Sequence, residues 1–193
     1  MISIARLLLF FVITMGYNAF FRNTVKMNRS LTWVFTFSVI TLVLYLGSLL
    51  GFMLQTVYAI SVLGCLLSLY YLWAVWKKKY RFRRLDYIAL GMMAYLLLFG
   101  ITLWHSPLLH YDNFTHWATI VKFFHINNAL PTQQDTIISY YTYPVGSSLF
   151  IYFFTTIVGF SEGSMLVGQF FLIASSLYAM FAALRDNRRV LMV

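Results

Sequence analysis

The sequence predicts an all-α polytopic membrane protein with about five transmembrane helices and two interfacial helices in one external loop. Three observations carry that prediction. Apolar residues make up 61% of the 193-residue chain and charged residues 10%, with a mean hydropathy of +0.77. A soluble protein of this size cannot hide so much apolar surface, whereas a bilayer accepts it. The cations, 14 Lys and Arg against 5 Asp and Glu, gather in short clusters at the ends of apolar runs. That is the pattern of cytoplasmic loops facing anionic lipid, and it excludes nucleic acid as the partner of the +9 charge. Finally, the segment from His105 to Gly146 holds all four histidines, all three prolines and two of the acidic residues.

Taken in order, Ile2 to Phe21 has the length of a first span, with Arg6 snorkelling to the nearby interface. No small-residue cleavage site follows, so the span is expected to stay in place and not be removed as a signal peptide. A basic stretch with Arg22, Lys26 and Arg29 comes next. From Ser30 to Trp76 there is no charge, which is room for two spans with a turn near Gly51 to Gln55. The single Cys65 lies in this run and founds neither a disulfide framework nor a thiolate metal site. Six cations between Lys77 and Arg84 separate it from a fourth span, Tyr87 to Trp104, which Pro107 closes off.

The two basic loops, two spans apart, both belong in the cytoplasm by the positive-inside rule. The turn near residue 53, the N-terminus and the His105–Gly146 segment then lie outside. In the C-terminal third, Ser147 to Phe160 supplies only about 14 apolar residues, roughly 21 Å of helix and too short for a ~30 Å core. Pro144 to Phe160 is therefore expected to lie in, or dip into, the outer interface. Ser164 to Leu184 crosses as the fifth span and leaves Arg185, Arg188 and Arg189 in the cytoplasm. The resulting organisation is a four-span bundle at 1–104, an external loop with interfacial helices at 105–162, and a fifth span with a basic cytoplasmic tail at 163–193. The protein is thus expected to be integral to the plasma membrane.

Within the loop, Phe114, Trp117, Ile120, Val121 and Phe124 recur at helical spacing after Asp112, and Asn127-Asn128-Ala129-Leu130-Pro131 stops the helix. An amphipathic helix directly after a span belongs in the interface plane, apolar face toward lipid. Asp112 then has two readings. It is either a helix N-cap or a carboxylate at the membrane surface that takes a substrate proton or a divalent cation. His116, one turn on, can share its face and assist it, while His105, His110 and His125 show no metal-site spacing and read as structural or solvated. Asn113-Phe114-Thr115 matches a glycosylation triplet, a pattern frequent by chance. The run Tyr140-Tyr141-Thr142-Tyr143-Pro144-Val145-Gly146 reads as an aromatic belt with a proline-started helix. Its phenol rings are also suited to stacking on a sugar, and the backbone N–H groups of Gly146 and Ser147 are free to face an anion.

With Asp112-Asn113-Phe114-Thr115-His116-Trp117, then Asn128-Ala129-Leu130-Pro131-Thr132, then Tyr143-Pro144-Val145-Gly146 before an apolar helix, the segment resembles a known arrangement. It is similar to the first external loop of the GT-C class of multispanning glycosyltransferases, which use polyprenyl-phosphate-linked sugars. Gly159-Phe160-Ser161-Glu162, the following span and the basic residues from Arg185 keep the same order, so the resemblance covers about residues 100–190. Two positions depart from it: Asn113 stands where a second acid is usual, and Val145 where a second proline is. The class also has many more spans than this chain, which makes the chain either the N-terminal part of a longer enzyme or a shortened relative.

The resemblance implies a glycosyltransferase, or part of one, in cell-surface polysaccharide or glycoconjugate assembly. Asp112 and His116 would be catalytic, Asn113, Tyr143, Pro144 and Gly146 would contact substrate, and Asp112 would be the ligand of a divalent cation, Mg or Mn. Its partners would be a lipid-linked sugar, a glycan acceptor, membrane lipids and other membrane subunits. The competing reading is a non-catalytic polytopic subunit of a polysaccharide polymerase, flippase or exporter. The spans lack the ionisable residues that ion-coupled transporters place along their paths, Arg6 near an end excepted. Five spans predict that a green fluorescent fusion after Val193 fluoresces in the cytoplasm; an externally active reporter at that position would restore a sixth span.

Overall fold

The computed structural model describes residues 4–77, 79, 87–135, 137–138 and 141–185. Most of the basic run after Lys77, the basic tail after Arg185, and Tyr140 lie outside the described residues. Eight helices follow one another: α1 (Ile4–Asn23), α2 (Arg29–Leu49), α3 (Met53–Trp76), α4 (Tyr87–Trp104), α5 (Tyr111–Thr115), α6 (Trp117–Asn127), α7 (Gly146–Val158) and α8 (Glu162–Arg185). Five of them, α1 to α4 and α8, are long and apolar enough to cross a membrane. The all-helical polytopic class and the number of spans are as the sequence predicts.

The ends of the long helices follow from local chemistry. Asn28 caps α2, its side chain accepting from the Ser30 N–H at 3.1 Å. The turn between α2 and α3 is made by Leu50, Gly51 and Phe52, with Gly51 at φ +80°, a left-handed conformation that favours glycine. Gln55, expected in that turn, falls in the first turn of α3.

Small residues bring the spans together. Gly16 of α1 and Gly64 of α3 meet so closely that a Cβ on Gly16 would run into the Gly64 carbonyl oxygen. In lipid no hydrophobic force pulls helices together, so association rests on such close backbone packing and on hydrogen bonds between helices. Two bonds flank this crossing: Tyr17 donates to the Ile60 carbonyl at 2.8 Å and Ser68 to the Val12 carbonyl at 2.5 Å. The pair continues in the same direction to Thr24 and Tyr71, whose hydroxyls lie 2.6 Å apart. The Arg22–Arg29 stretch and Lys77 thus share one end of the bundle. At the other end Gly163 lets α8 start against the Trp104 carbonyl, where α4 stops. Between them α4 leans on α8 through Tyr95 and Phe99, at 5.3 and 6.0 Å from Phe170. The rest of the helix is exposed or half-buried, with Ala89 its one buried residue.

The short helix α7 sits at the centre. Ser148 to Thr155 and Val158 are buried without interruption around the helix, enclosed by α1, α2, α6 and α8. Phe154 lies edge-on to Phe10 at 4.8 Å and to Phe171 at 5.5 Å, while Phe150 packs on Phe37 at 4.7 Å. Phe37 stands about a dozen residues, or roughly 18 Å of helix rise, from the Leu49 end of α2. The segment expected in, or dipping into, the outer interface thus forms a helix packed within the bundle.

The loop departs from expectation in two ways. The single helix predicted from Asp112 onward is broken at His116, whose φ −126° and ψ −108° are not helical. Hydroxyls compete with the helix there: Thr119 donates to the Phe114 carbonyl at 2.6 Å, and the Thr115 hydroxyl lies 2.6 Å from His116 Nδ1. The apolar face of α6, expected toward lipid, is instead buried through Ala118, Ile120, Val121, Phe123 and Phe124, with α7 as its main neighbour. A helix that is apolar all round needs protein cover on this side too, and α6 supplies it. Gly16→Leu is expected to lower the thermal unfolding midpoint of the purified protein strongly. Gly91→Leu on α4, where an added Cβ meets nothing within 4 Å, should leave it within a degree or two.

Candidate functional site

Two features of the loop make up the candidate site. The first is the start of α5. Its N-cap is His110, whose Nδ1 accepts from the Asp112 N–H at 3.3 Å. Asp112 itself lies inside the helix and is not the N-cap that the sequence suggested. Its carboxylate is 59% exposed, with Oδ2 3.4 Å from His110 Nδ1, so at least one oxygen remains open to solvent or substrate. The backbone reaching this point is fixed by Glu162, whose Oε2 accepts from the Leu108 N–H at 2.9 Å. Sequence reading placed Glu162 only in a turn by resemblance; here it ties the strand of chain before α5 to the start of α8.

The His116 N–H donates to the Asp112 carbonyl at 3.0 Å, while its ring meets the Thr115 hydroxyl and lies edge-on to Tyr143 at 5.0 Å between centroids. Thus His116 joins the two halves of the sequence-predicted site, the Asp112 turn and the Tyr143–Gly146 turn. Asn113 is 8% exposed and packs inward, so it offers little surface to a substrate in this arrangement. Tyr143 and Pro144 are exposed and Gly146 is half-buried.

The second feature is a half-open cleft of about 750 Å³ along which Tyr143, Pro144 and Gly146 all lie. Its opposite wall is α2, through Ser38, Thr41 and Tyr45, and Leu130, Pro131 and Leu172 close its ends. The contact is close: a Cβ on Gly146 would stand 3.9 Å from Thr41 Cγ2. Among the described residues no lining side chain is charged. Sequence reasoning missed the α2 wall. The signal was present as hydroxyls at three- and four-residue spacing on an apolar span, but nothing in the sequence says that this face meets residues a hundred positions later.

Among the described residues no three His, Cys, Asp or Glu side chains converge on a point. Around Asp112 the donors are one carboxylate and one imidazole nitrogen, a set poorly matched to a hard cation such as Mg²⁺ that prefers several oxygens. A cation at Asp112 would therefore need further oxygen ligands from substrate or water.

His125, read from sequence as structural, has a defined structural role. Its Nε2 is 2.8 Å from the Thr155 hydroxyl, which itself donates to the Ile151 carbonyl. Nε2 must therefore carry the proton and donate. The ring packs between Tyr152 and Phe160, at 4.9 and 4.6 Å, and burial lowers its pKa from 6.5 to about 4. Close by, Asn128 ends α6 in the left-handed region at φ 50° and accepts from the Tyr152 hydroxyl at 2.7 Å. These bonds hold α6, and with it His116, in register with α7.

The chain matches no protein-family model, no curated protein and no solved structure at a significant level.

The fold favours neutral His125, and the unfolded chain binds its proton more readily. Stability should therefore be full above pH 6.5 and fall as pH drops from about 6.5 toward about 4. Thermal unfolding across that window should show the decline, and His125→Gln should flatten it.

Proposed function

We propose that this protein is a membrane glycosyltransferase, or the N-terminal part of one, that takes sugar from a polyprenyl-phosphate donor in cell-envelope polysaccharide or glycoconjugate assembly. The observation that carries the proposal is the contact of His116 with Tyr143. It links the turn that carries a solvent-open carboxylate to an uncharged, tyrosine-walled cleft. A transferase that joins a lipid-borne sugar to an acceptor needs both: a base for the incoming hydroxyl and a bed for the sugar beside the lipid.

In this reading the acceptor hydroxyl attacks the anomeric carbon, its proton passes to Asp112, and the bond to the donor phosphate breaks, releasing the lipid phosphate. Tyr143, Pro144 and Gly146 hold the donor end, and His116 positions Tyr143. Asn113, buried beside Asp112, shapes the turn. With only one carboxylate at hand, Asp112 acts here as a base. Magnesium often binds through one or two carboxylates plus substrate phosphates, so any cation would arrive with the donor.

The site lies on the external face of the plasma membrane in this reading. The shared end of Arg22, Arg29 and Lys77 is the cytoplasmic one by the positive-inside rule, and α5 to α7 belong to the end where α4 stops and α8 begins. A second reading, a non-catalytic subunit of a larger assembly, has one observation in its favour: α4 fully buries only Ala89, as a helix does that packs against further spans.

Loss of a general base costs about 10²–10⁴ in rate. In proteoliposomes supplied with radiolabelled polyprenyl-phosphate hexoses and the native acceptor glycan, Asp112→Asn is expected to cut transfer at least 100-fold. Full activity in that variant would overturn the proposal.

A further inference from the structure

We infer that the cleft between α2 and the Tyr141–Ser147 turn binds the ring of an uncharged sugar, with the hydroxyl face of α2 reading it. The inference rests on the glycosyltransferase reading for its biological setting, but the binding chemistry stands on the cleft itself.

The first argument is the state of the hydroxyls. On α2, Thr32, Thr36, Thr41 and Ser48 each donate to a carbonyl three or four residues back, the usual way a spanning helix hides a hydroxyl from hydrocarbon. Ser38 and Tyr45 do not: among the described residues neither hydroxyl has a hydrogen-bond partner. Thr41 keeps acceptor capacity after its bond to Phe37. All three face the cleft, and Thr41 lies about 12 Å of helix rise from the Leu49 end. In this half-open cleft they can exchange hydrogen bonds with a ligand that carries its own donors and acceptors.

The second argument is what the lining lacks and what it adds. Among the described residues it contains no charged side chain, which disfavours a phosphate, a carboxylate or an ammonium as the buried group. It adds exposed phenol rings, Tyr45, Tyr141 and Tyr143, beside small polar residues. Flat aromatic surface with scattered neutral hydroxyls suits the apolar faces and equatorial hydroxyls of a sugar ring. Its volume, about 750 Å³, is in the range of small-molecule sites. The ligand class that fits is therefore a neutral hexose or N-acetylhexosamine, with uronic acids and free amino sugars rejected.

The test uses the full chain in lipid nanodiscs and saturation-transfer NMR. The probes are hexyl β-glucoside, hexyl β-galactoside, hexyl β-N-acetylglucosaminide and hexyl β-glucuronide, and empty nanodiscs serve as the control. At least one neutral probe should bind through its ring protons at least tenfold more tightly than the glucuronide. Thr41→Val combined with Tyr45→Phe, which keeps shape and removes hydroxyls, should weaken that binding at least fivefold. Ser38→Ala, at an exposed position, gives the same direction should the double variant fold poorly, and Gly91→Leu on α4, outside the cleft, should leave binding unchanged. Equal binding of the glucuronide, no binding of any neutral probe, or variants that bind like the parent would overturn the inference. Persistent glycoside binding in a protein without transfer activity would instead sink only the transferase reading.

Discussion

A helix of thirteen residues that is apolar on every side is the constraint from which the rest of this structure follows. It is too short to cross a bilayer alone, and its two ends carry backbone groups that hydrocarbon cannot satisfy. Protein must surround it. The aromatic rings of α1, α2 and α8 close on Phe150 and Phe154 from within the bundle, and α6 closes on the remaining side. With α7 enclosed, the chain that leads into it must run down beside α2, and the space left beside that descending turn is the cleft. The binding surface is thus a by-product of burying a short helix.

The long helices were legible because charge and length are one-dimensional signals. The cations at Arg22–Arg29 and Lys77 mark ends, and apolar runs between them count out spans. Even the shortness of the segment after Pro144 could be measured residue by residue. What failed was everything that depends on who meets whom. Periodicity showed that Ile120, Val121 and Phe124 share a face, but not that α7 and not lipid would cover it. Asp112 looks like a cap by residue type, yet His110, two positions earlier, has the cap geometry. The break at His116 arises from Thr115 and Thr119 competing for backbone groups, an effect of a few hydrogen bonds that a five-residue apolar pattern overrides on paper.

The candidate site was half legible for the same reason. Tyr143, Pro144 and Gly146 stand together in sequence and remain together in space, so a local motif sufficed to find them. Asp112 and Tyr143 are thirty residues apart, and their link through His116 depends on α6 and α7 running side by side under the Tyr152–Asn128 and His125–Thr155 bonds. The hydroxyls of α2 come from a different part of the chain altogether and were hidden among residues that read only as span.

The break at His116 also divides the site into parts with different tolerance for change. Helix α6 is locked to α7 by its apolar face, so substitutions there disturb the centre of the molecule. The five residues of α5 are mostly exposed and tied down chiefly through Glu162 and Leu108. Sequence drift in α5 therefore costs little stability while it moves the surroundings of a carboxylate. Such drift can reshape a single surface turn while the Ser38, Thr41 and Tyr45 wall on α2 stays unchanged behind it.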